Sequence, residues 1–341
     1  AEEPVTEPRQ PPYVTGELSL ELQLDHALRS DDPDLSRTTL EGTADADIDF
    51  WLTSALSSHT KISLDSTDNR LSDENLVFGE VGLRVEELYL RFDIESYRII
   101  AGKFDIDFGV AWDDAFGIYG SDLAEEYEFK ERVGLHAEVR LKDTGTGKHR
   151  LTGSVFSADT SVLSGDLIKG TDRLRRSDGG VSNTGVPSSF SVAAHGSDFT
   201  PLPGLNYHAA VIFQAAGRGD PHDEVGLSFA LAGIWPQTGD LSFAWLSEVV
   251  QLFHAEGGNE DRTYFTLSGK FGYGSAWLAP TVTHRIDTVS GGSNTDATLA
   301  TLSVGYDFEF GLELSAGLQL FDDAGSITEL LGLKAEYVYE F

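Results

Sequence analysis

Residues 331–341 alternate without a break: Leu331, Leu333, Ala335, Tyr337, Tyr339 and Phe341 fall on one face, and Lys334, Glu336 and Glu340 on the other. A repeat of two is the period of a β-strand. The pattern recurs far upstream. Leu18, Leu20, Leu22 and Leu24 oppose Glu17, Ser19, Glu21, Gln23 and Asp25, while Leu40, Ala44, Ala46, Ile48, Phe50 and Leu52 oppose Glu41, Thr43, Asp45, Asp47 and Asp49. So many carboxylates on one face do not fit a packed apolar core. They fit a water-filled interior whose outer wall meets lipid, and this predicts an all-β, transmembrane antiparallel β-barrel.

Composition decides between this and the alternatives for a chain of 341 residues. Only 40% of residues are hydrophobic, mean hydropathy is -0.18, and no run of about 18 apolar residues occurs, which excludes membrane-spanning helices. Alternation hides a lipid face inside a polar average. The chain has no cysteine and no methionine, which removes disulfides, thiolate metal sites and cysteine nucleophiles. A first residue Ala1 in place of Met leads to the expectation of an exported chain whose signal peptide has been removed. The net charge of -32, from 56 acidic and 24 basic residues, argues against nucleic acid or anionic lipid as a partner. Acid lining a channel would favour cations; halophilic adaptation or plain solubility would give the same balance.

Residues 1–13 hold four prolines and three glutamates and read as an extended acidic tail. The rest, 14–341, reads as one barrel of about sixteen strands: 14–28, 38–54, 59–66, 83–95, 97–104, 129–142, 149–158, 187–198, 204–216, 223–234, 240–254, 261–272, 275–287, 295–308, 312–322 and 329–341. Even-numbered connections are all short, and the long ones, 67–82, 105–128 and 159–186, are all odd-numbered. An up-and-down barrel with short periplasmic turns and longer external loops requires that segregation. Tyr89, Tyr97, Trp235, Trp277, Tyr306, Phe308, Phe310, Tyr337 and Tyr339 gather near strand ends, where interfacial girdles form.

The third external loop, 105–128, mixes carboxylates with Phe108, Trp112, Phe116 and Tyr119. A fully solvated loop has no need of such aromatics, so the loop is expected to fold inward against the wall; an external lid or a subunit contact is the alternative. The strand count, the long third loop, Gly134-Leu135 in the strand after it, and the terminal Phe341 with Tyr339 together resemble the sixteen-stranded porins of Gram-negative bacteria, trimeric diffusion channels of the outer membrane. The resemblance implies a constriction in which loop acids, here Asp105, Asp107, Asp113 and Asp114, face wall bases, here Arg84, Arg91, Arg132 and Arg140. The family's Pro-Glu-Phe-Gly-Gly turn is absent, and Phe108-Gly109 and Phe116-Gly117 echo it in part. The phrase Gly102-Lys103-Phe104, running into Phe108-Gly109, looks more like substrate-selective porins and adds Lys103 to the basic wall.

Lys169, Arg173, Arg175 and Arg176 form a basic group in the fourth loop, 159–186. It suits lipopolysaccharide phosphates, or it balances Asp166, Asp172 and Asp178. No histidine pair has HExxH spacing. Asp31-Asp32-Pro33-Asp34, Asp65-Ser66-Thr67-Asp68-Asn69 and Asp113-Asp114 offer hard oxygen ligands for loop-bound Ca2+ without matching an EF-hand; no other cofactor is expected. The leading reading is therefore a non-enzymatic, passive outer-membrane channel for cations and small polar solutes, homotrimeric by resemblance. The alternatives are a substrate-selective channel, a structural barrel, or a barrel hydrolase. The last needs a Ser–His–acid set at the rim, and His284 has no evident Ser and acid beside it.

Overall fold

The computed structural model describes residues 10–67, 75–143, 145, 147–169, 173–199, 202–289 and 291–341. Among them the chain forms β1 (Tyr13–Ser30), β2 (Thr38–Trp51), β3 (Leu56–Thr67), β4 (Leu76–Val77), β5 (Glu80–Ile94) and β6 (Tyr97–Phe104). After one helical turn, α1 (Ala111–Asp114), come β7 (Arg132–Leu141), β8 (Lys148–Ala158), β9 (Ser189–Ser197), β10 (Leu205–Gln214) and β11 (Glu224–Thr238). The last strands are β12 (Leu241–Phe253), β13 (Glu260–Tyr273), β14 (Ala276–Val289), β15 (Thr295–Asp307), β16 (Leu312–Asp323) and β17 (Ser326–Glu340). The two-residue β4 lies parallel to the start of β2. The other sixteen pair antiparallel with their neighbours in order, and β1 pairs with both β2 and β17, so the barrel closes and leaves no free edge at its ends.

Closure is made by the terminal alternation itself. Leu18 stands opposite Tyr339, Leu20 opposite Tyr337 and Leu24 opposite Leu333, while Asp25 pairs with Gly332. Phe341 exchanges backbone hydrogen bonds with Gly16 at 3.0 and 3.2 Å, its ring lying where a side chain on Gly16 would stand.

One parity of residues forms an apolar outer band, including Leu20, Leu90, Leu135, Val192, Phe229, Leu267, Leu302 and Leu333, all exposed. Only a surrounding apolar medium makes such a surface favourable, which is why strands of this kind belong in a bilayer. Tyr97, Trp235, Tyr306, Phe310, Tyr337 and Tyr339 are exposed near the short-turn end, as an interfacial belt requires. Two expected girdle members differ. Tyr89 points inward and stacks on His59 at 4.6 Å, and Trp277 is buried under Lys270 with its indole N–H donated to Asp307. Both sit on the lumen parity of their strands, so closeness to a strand end did not fix their face.

The wall is interrupted where the third loop leaves it. β6 stops at Phe104, where the chain turns inward, yet β5 continues beyond it. The fourth loop fills the exposed edge: Leu83 N donates to Ile168 O at 3.3 Å and Leu167 N to Leu83 O at 2.7 Å. Gly102, with φ +145°, sits at this turn, where a Cβ would stand 2.3 Å from the Leu88 carbonyl oxygen; only glycine fits.

Candidate functional site

The third loop leaves β6 through a base closed by Ile106 N donating to Phe129 O at 3.0 Å. Ile106, Phe108, Tyr127 and Phe129 are buried against Phe156, Ile212, Leu246 and Tyr264 from the wall, forming an apolar core inside the barrel. Burying these side chains is what draws the loop off the external surface. Beyond this core the loop follows the wall. Val110 N and Ala111 N donate to the two carboxylate oxygens of Glu248, each at 2.8 Å, and Tyr127 Oη and Ser228 Oγ donate to the same group at 2.8 and 3.0 Å. Phe116 N donates to Ser268 Oγ and Ile118 N to Ser303 Oγ, at 2.8 and 3.0 Å, and Thr281 Oγ1 donates to Phe116 O at 2.9 Å.

At the far end Tyr119 donates its hydroxyl to Asp25 on β1. It lies against Gly332 on β17, where a Cβ would stand 2.1 Å from the hydroxyl oxygen. The returning leg is held by Gln319 to Asp122 at 2.9 Å, by Tyr264 to Glu126 at 2.9 Å, and by Arg285 to Glu126 at 2.7 Å. Among the described residues, none between 109 and 126 hydrogen-bonds to β2, β3 or β5. The loop is thus a ledge along one side of the lumen, facing a wall to which its outer part makes no hydrogen bond.

That facing wall is rich in charge. Arg91 binds Asp49 at 2.9 Å and lies 4.8 Å over the Trp51 ring. His59 lies 3.1 Å from both Asp49 and Glu87, and Lys61 binds Glu86 at 3.0 Å. Asp45 and Asp47 share the face. On the ledge, Asp113 and Asp114 are exposed to lumen water, in a recess they share with Lys270, Lys334 and Glu313. Enclosure raises the Asp114 carboxyl above its ordinary value, and Asp113 and Glu248 add to the effect. Asp122 touches lumen water deep inside the barrel; enclosure, then Glu125 and Asp25, push it up to about 7. Burial pushes Glu128 up to about 7 against the pull of Lys130, and burial with Glu87 pushes Asp105 up to about 6. A loop close to neutrality in its proton affinity is one whose charge responds to ordinary changes of pH.

The four loop aspartates and five bases singled out in the sequence do not form ion pairs with one another among the described residues. Asp105 accepts from Glu131 N at 2.7 Å, and Asp107 accepts from Thr152 Oγ1 at 2.7 Å and lies 2.7 Å from His195 Nε2. Arg84 binds Asp166 at 3.1 Å and Glu131 at 3.4 Å. Arg140 binds Glu138 at 2.7 Å and stands with Arg98 and Arg150 around a lumen recess. Arg132 lies on the inward parity beside Phe104, its Nε without a hydrogen-bond partner. Lys103 departs from the expected lumen wall. It shares the outward parity of Leu88 and Val133, and it is buried beneath the fourth loop, donating to Val85 O, Leu163 O and Glu131, each at 2.7 Å. The reason is the early end of β6, which brings that loop down over the strand.

Of the remaining candidates, Asp31 is engaged by Arg29 and by Ile327 N, and Asp65 accepts from Ser63 at 2.7 Å. Asp68 and Asn69, like Asp172, lie outside the described residues, as does the side chain of Asp34. In the fourth loop Arg173 donates to Thr160 O at 2.9 Å. His284 bonds Thr298 at 2.9 Å. The residues that hold the loop, Glu248, Ser228, Ser268, Ser303, Tyr264, Arg285 and Gln319, escaped the sequence reading. The one signal was a lone acid, Glu248, in the otherwise uncharged stretch from Leu241 to Phe253.

Comparison with solved structures places the architecture. A loop-deletion mutant of OmpT, an outer membrane protein of Vibrio cholerae, is 13% identical, with a TM-score of 0.58 over 96% of this chain and 99% of that one. This is the fold of the outer-membrane porins. The outer membrane channel DcaP of Acinetobacter baumannii matches at 12% identity and TM-score 0.56, over 96% of each chain. A mutant of the Rh. blastica porin matches at 13% and 0.56, over 96% and 99%. OmpT folded in vitro, solved in a trimer form, matches at 13% and 0.53, over 96% and 99%. No family model and no curated protein matches the sequence. The porin likeness therefore rests on the barrel.

Proposed function

We propose that the chain is a passive, cation-preferring diffusion channel of the bacterial outer membrane for ions and small polar solutes, with the third loop as its selectivity element. The observation that carries this reading is a loop fastened to one side of a closed barrel, presenting Asp113 and Asp114 to lumen water while Asp45, Asp47 and Asp49 line the wall it leaves free. No covalent step is involved. Lumen width sets the size limit, and fixed carboxylates set a potential that admits cations. Arg91, Lys61, Lys270 and Lys334 interrupt the acid and give polar solutes an orienting field. The OmpT trimer form supports a homotrimer, and Arg176 and Arg218, which border one recess at the long-loop end, suit lipopolysaccharide phosphates.

Reconstitution into a planar bilayer under a salt gradient tests the reading. The reversal potential is expected to take the cation-selective sign, and replacing both Asp113→Asn and Asp114→Asn is expected to lower the cation-to-anion permeability ratio by roughly two-fold. Anion preference, or no conductance steps, would overturn it. A second reading, a channel selective for an anionic solute, is favoured by the recess of about 510 Å³ lined by Arg98, Arg140, Arg150 and Tyr207. It requires a conductance block that saturates with that solute.

A further inference from the structure

Where the third loop enters the lumen, one of its carboxylates meets two imidazoles from adjacent strands. Asp107 Oδ2 lies 2.7 Å from His195 Nε2 on β9, and Asp107 Oδ1 lies 3.8 Å from His208 Nδ1 on β10. The rings of His195 and His208 are 4.7 Å apart and inclined by 63°, with their Nδ1 atoms 3.4 Å from each other. One ligand atom from each of the three residues falls within 4.8 Å of the others. His208 is only 3% exposed, and its Nε2 has no hydrogen-bond partner. A hydrogen-bond chain from His208 through His195 to Asp107 leaves that buried nitrogen unsatisfied, which costs about 1–3 kcal/mol. The nitrogen of His208 turned towards Asp107 and His195 is Nδ1, and it is this atom that His208 offers to a shared ligand.

We propose that Asp107, His195 and His208 bind a divalent transition-metal ion of the zinc class. Bonds of about 2.0–2.2 Å to imidazole nitrogen and carboxylate oxygen place tetrahedral ligand atoms about 3.3 Å apart; with one ligand atom from each residue already within 4.8 Å of the other two, a small closing movement of the rings gives that spacing. Two imidazoles and one carboxylate select zinc, nickel, cobalt or copper over calcium or magnesium, which prefer all-oxygen ligands. Three protein ligands leave a fourth position for water. His195 also borders the recess lined by Arg98, Arg140 and Tyr207, which gives an ion and its water a route from the lumen. Thr152 Oγ1, donating to the Asp107 carboxylate at 2.7 Å, is placed to orient that ligand from outside the coordination sphere. The bound ion joins the root of the third loop to β9 and β10 and so fixes where the ledge begins.

The test does not depend on whether the barrel conducts. Protein without a histidine tag, folded in detergent, is titrated with Zn2+ by calorimetry, and with Co2+ while following its visible absorption. One ion per chain is expected. His195→Ala and His208→Ala should each weaken binding by about ten-fold or more, with heat-modifiable gel migration reporting an intact barrel. Asp107→Asn, a loop substitution that preserves shape, provides the same measurement if either histidine variant fails to fold. The surface pair His222 and His254, stacked at 4.2 Å, is the control, and replacing both by alanine should change nothing. No binding up to about 1 mM Zn2+, equal binding by the variants, or a loss confined to the His222/His254 variant would overturn the site.

Discussion

At Glu248 one carboxylate accepts four hydrogen bonds, from two loop backbone N–H groups, Tyr127 and Ser228. Charged acceptors form the stronger hydrogen bonds, and removing this one strands buried donors that water cannot reach. Glu248→Ala is expected to cost about 3 kcal/mol or more of loop attachment, measurable as faster proteolytic cleavage between residues 109 and 126 and as larger, noisier single-channel steps. An unchanged cleavage rate would show that the apolar core around Phe108 and Tyr127 suffices. Individual partners were the least legible part of the sequence. Strand parity tells which face a side chain takes, and Arg84, Arg91, Arg132 and Arg140 all lie on the inward parity of their strands. It cannot tell which of many nearby acids each base meets, and at Lys103 the resemblance to substrate-selective porins pointed to the lumen wall while the parity is outward, where the early end of the strand lets another loop cover it.

The third loop is the element whose charge is set by its surroundings. Asp122 and Glu128 both have carboxyls raised to about 7, so they lose negative charge as pH falls from about 8 to 6. The proposed cation preference is expected to decline in bilayers over that window, and Asp122→Asn should flatten the dependence. Stability moves in the opposite sense. The folded loop binds protons more tightly than the unfolded chain, whose carboxyls titrate near 3.8 and 4.5, so folding is favoured by acid and weakened as pH rises from about 4 to 7. The midpoint of heat-modifiable migration in detergent, followed across this range, checks the sign. The aromatics Phe108, Trp112, Phe116 and Tyr119 were the legible signal that this segment needs a wall. Its docking points were not, because Ser268, Thr281 and Ser303 are small polar residues indistinguishable in sequence from any that face water.

For the molecule as a whole, the sixteen barrel strands lie within a few residues of where alternation predicts them, because lipid outside and water inside impose opposite demands at every second residue. Breaking that rule on the outer face should be costly. Leu267→Lys, near the middle of β13 and exposed in the apolar band, is expected to destabilise the folded barrel by about 2–4 kcal/mol, read as a lowered denaturant midpoint in lipid vesicles. The β1–β17 junction has a further consequence for assembly. Asp25 and Gly332 are register partners across it, and Tyr119 hydrogen-bonds to the first while lying against the second. That docking position exists only once the first and last strands have met. The tip of the third loop therefore settles after that pairing, a clasp that fastens once the ring is joined, and Tyr119→Phe should leave a complete ring whose junction opens more readily than that of the unsubstituted chain.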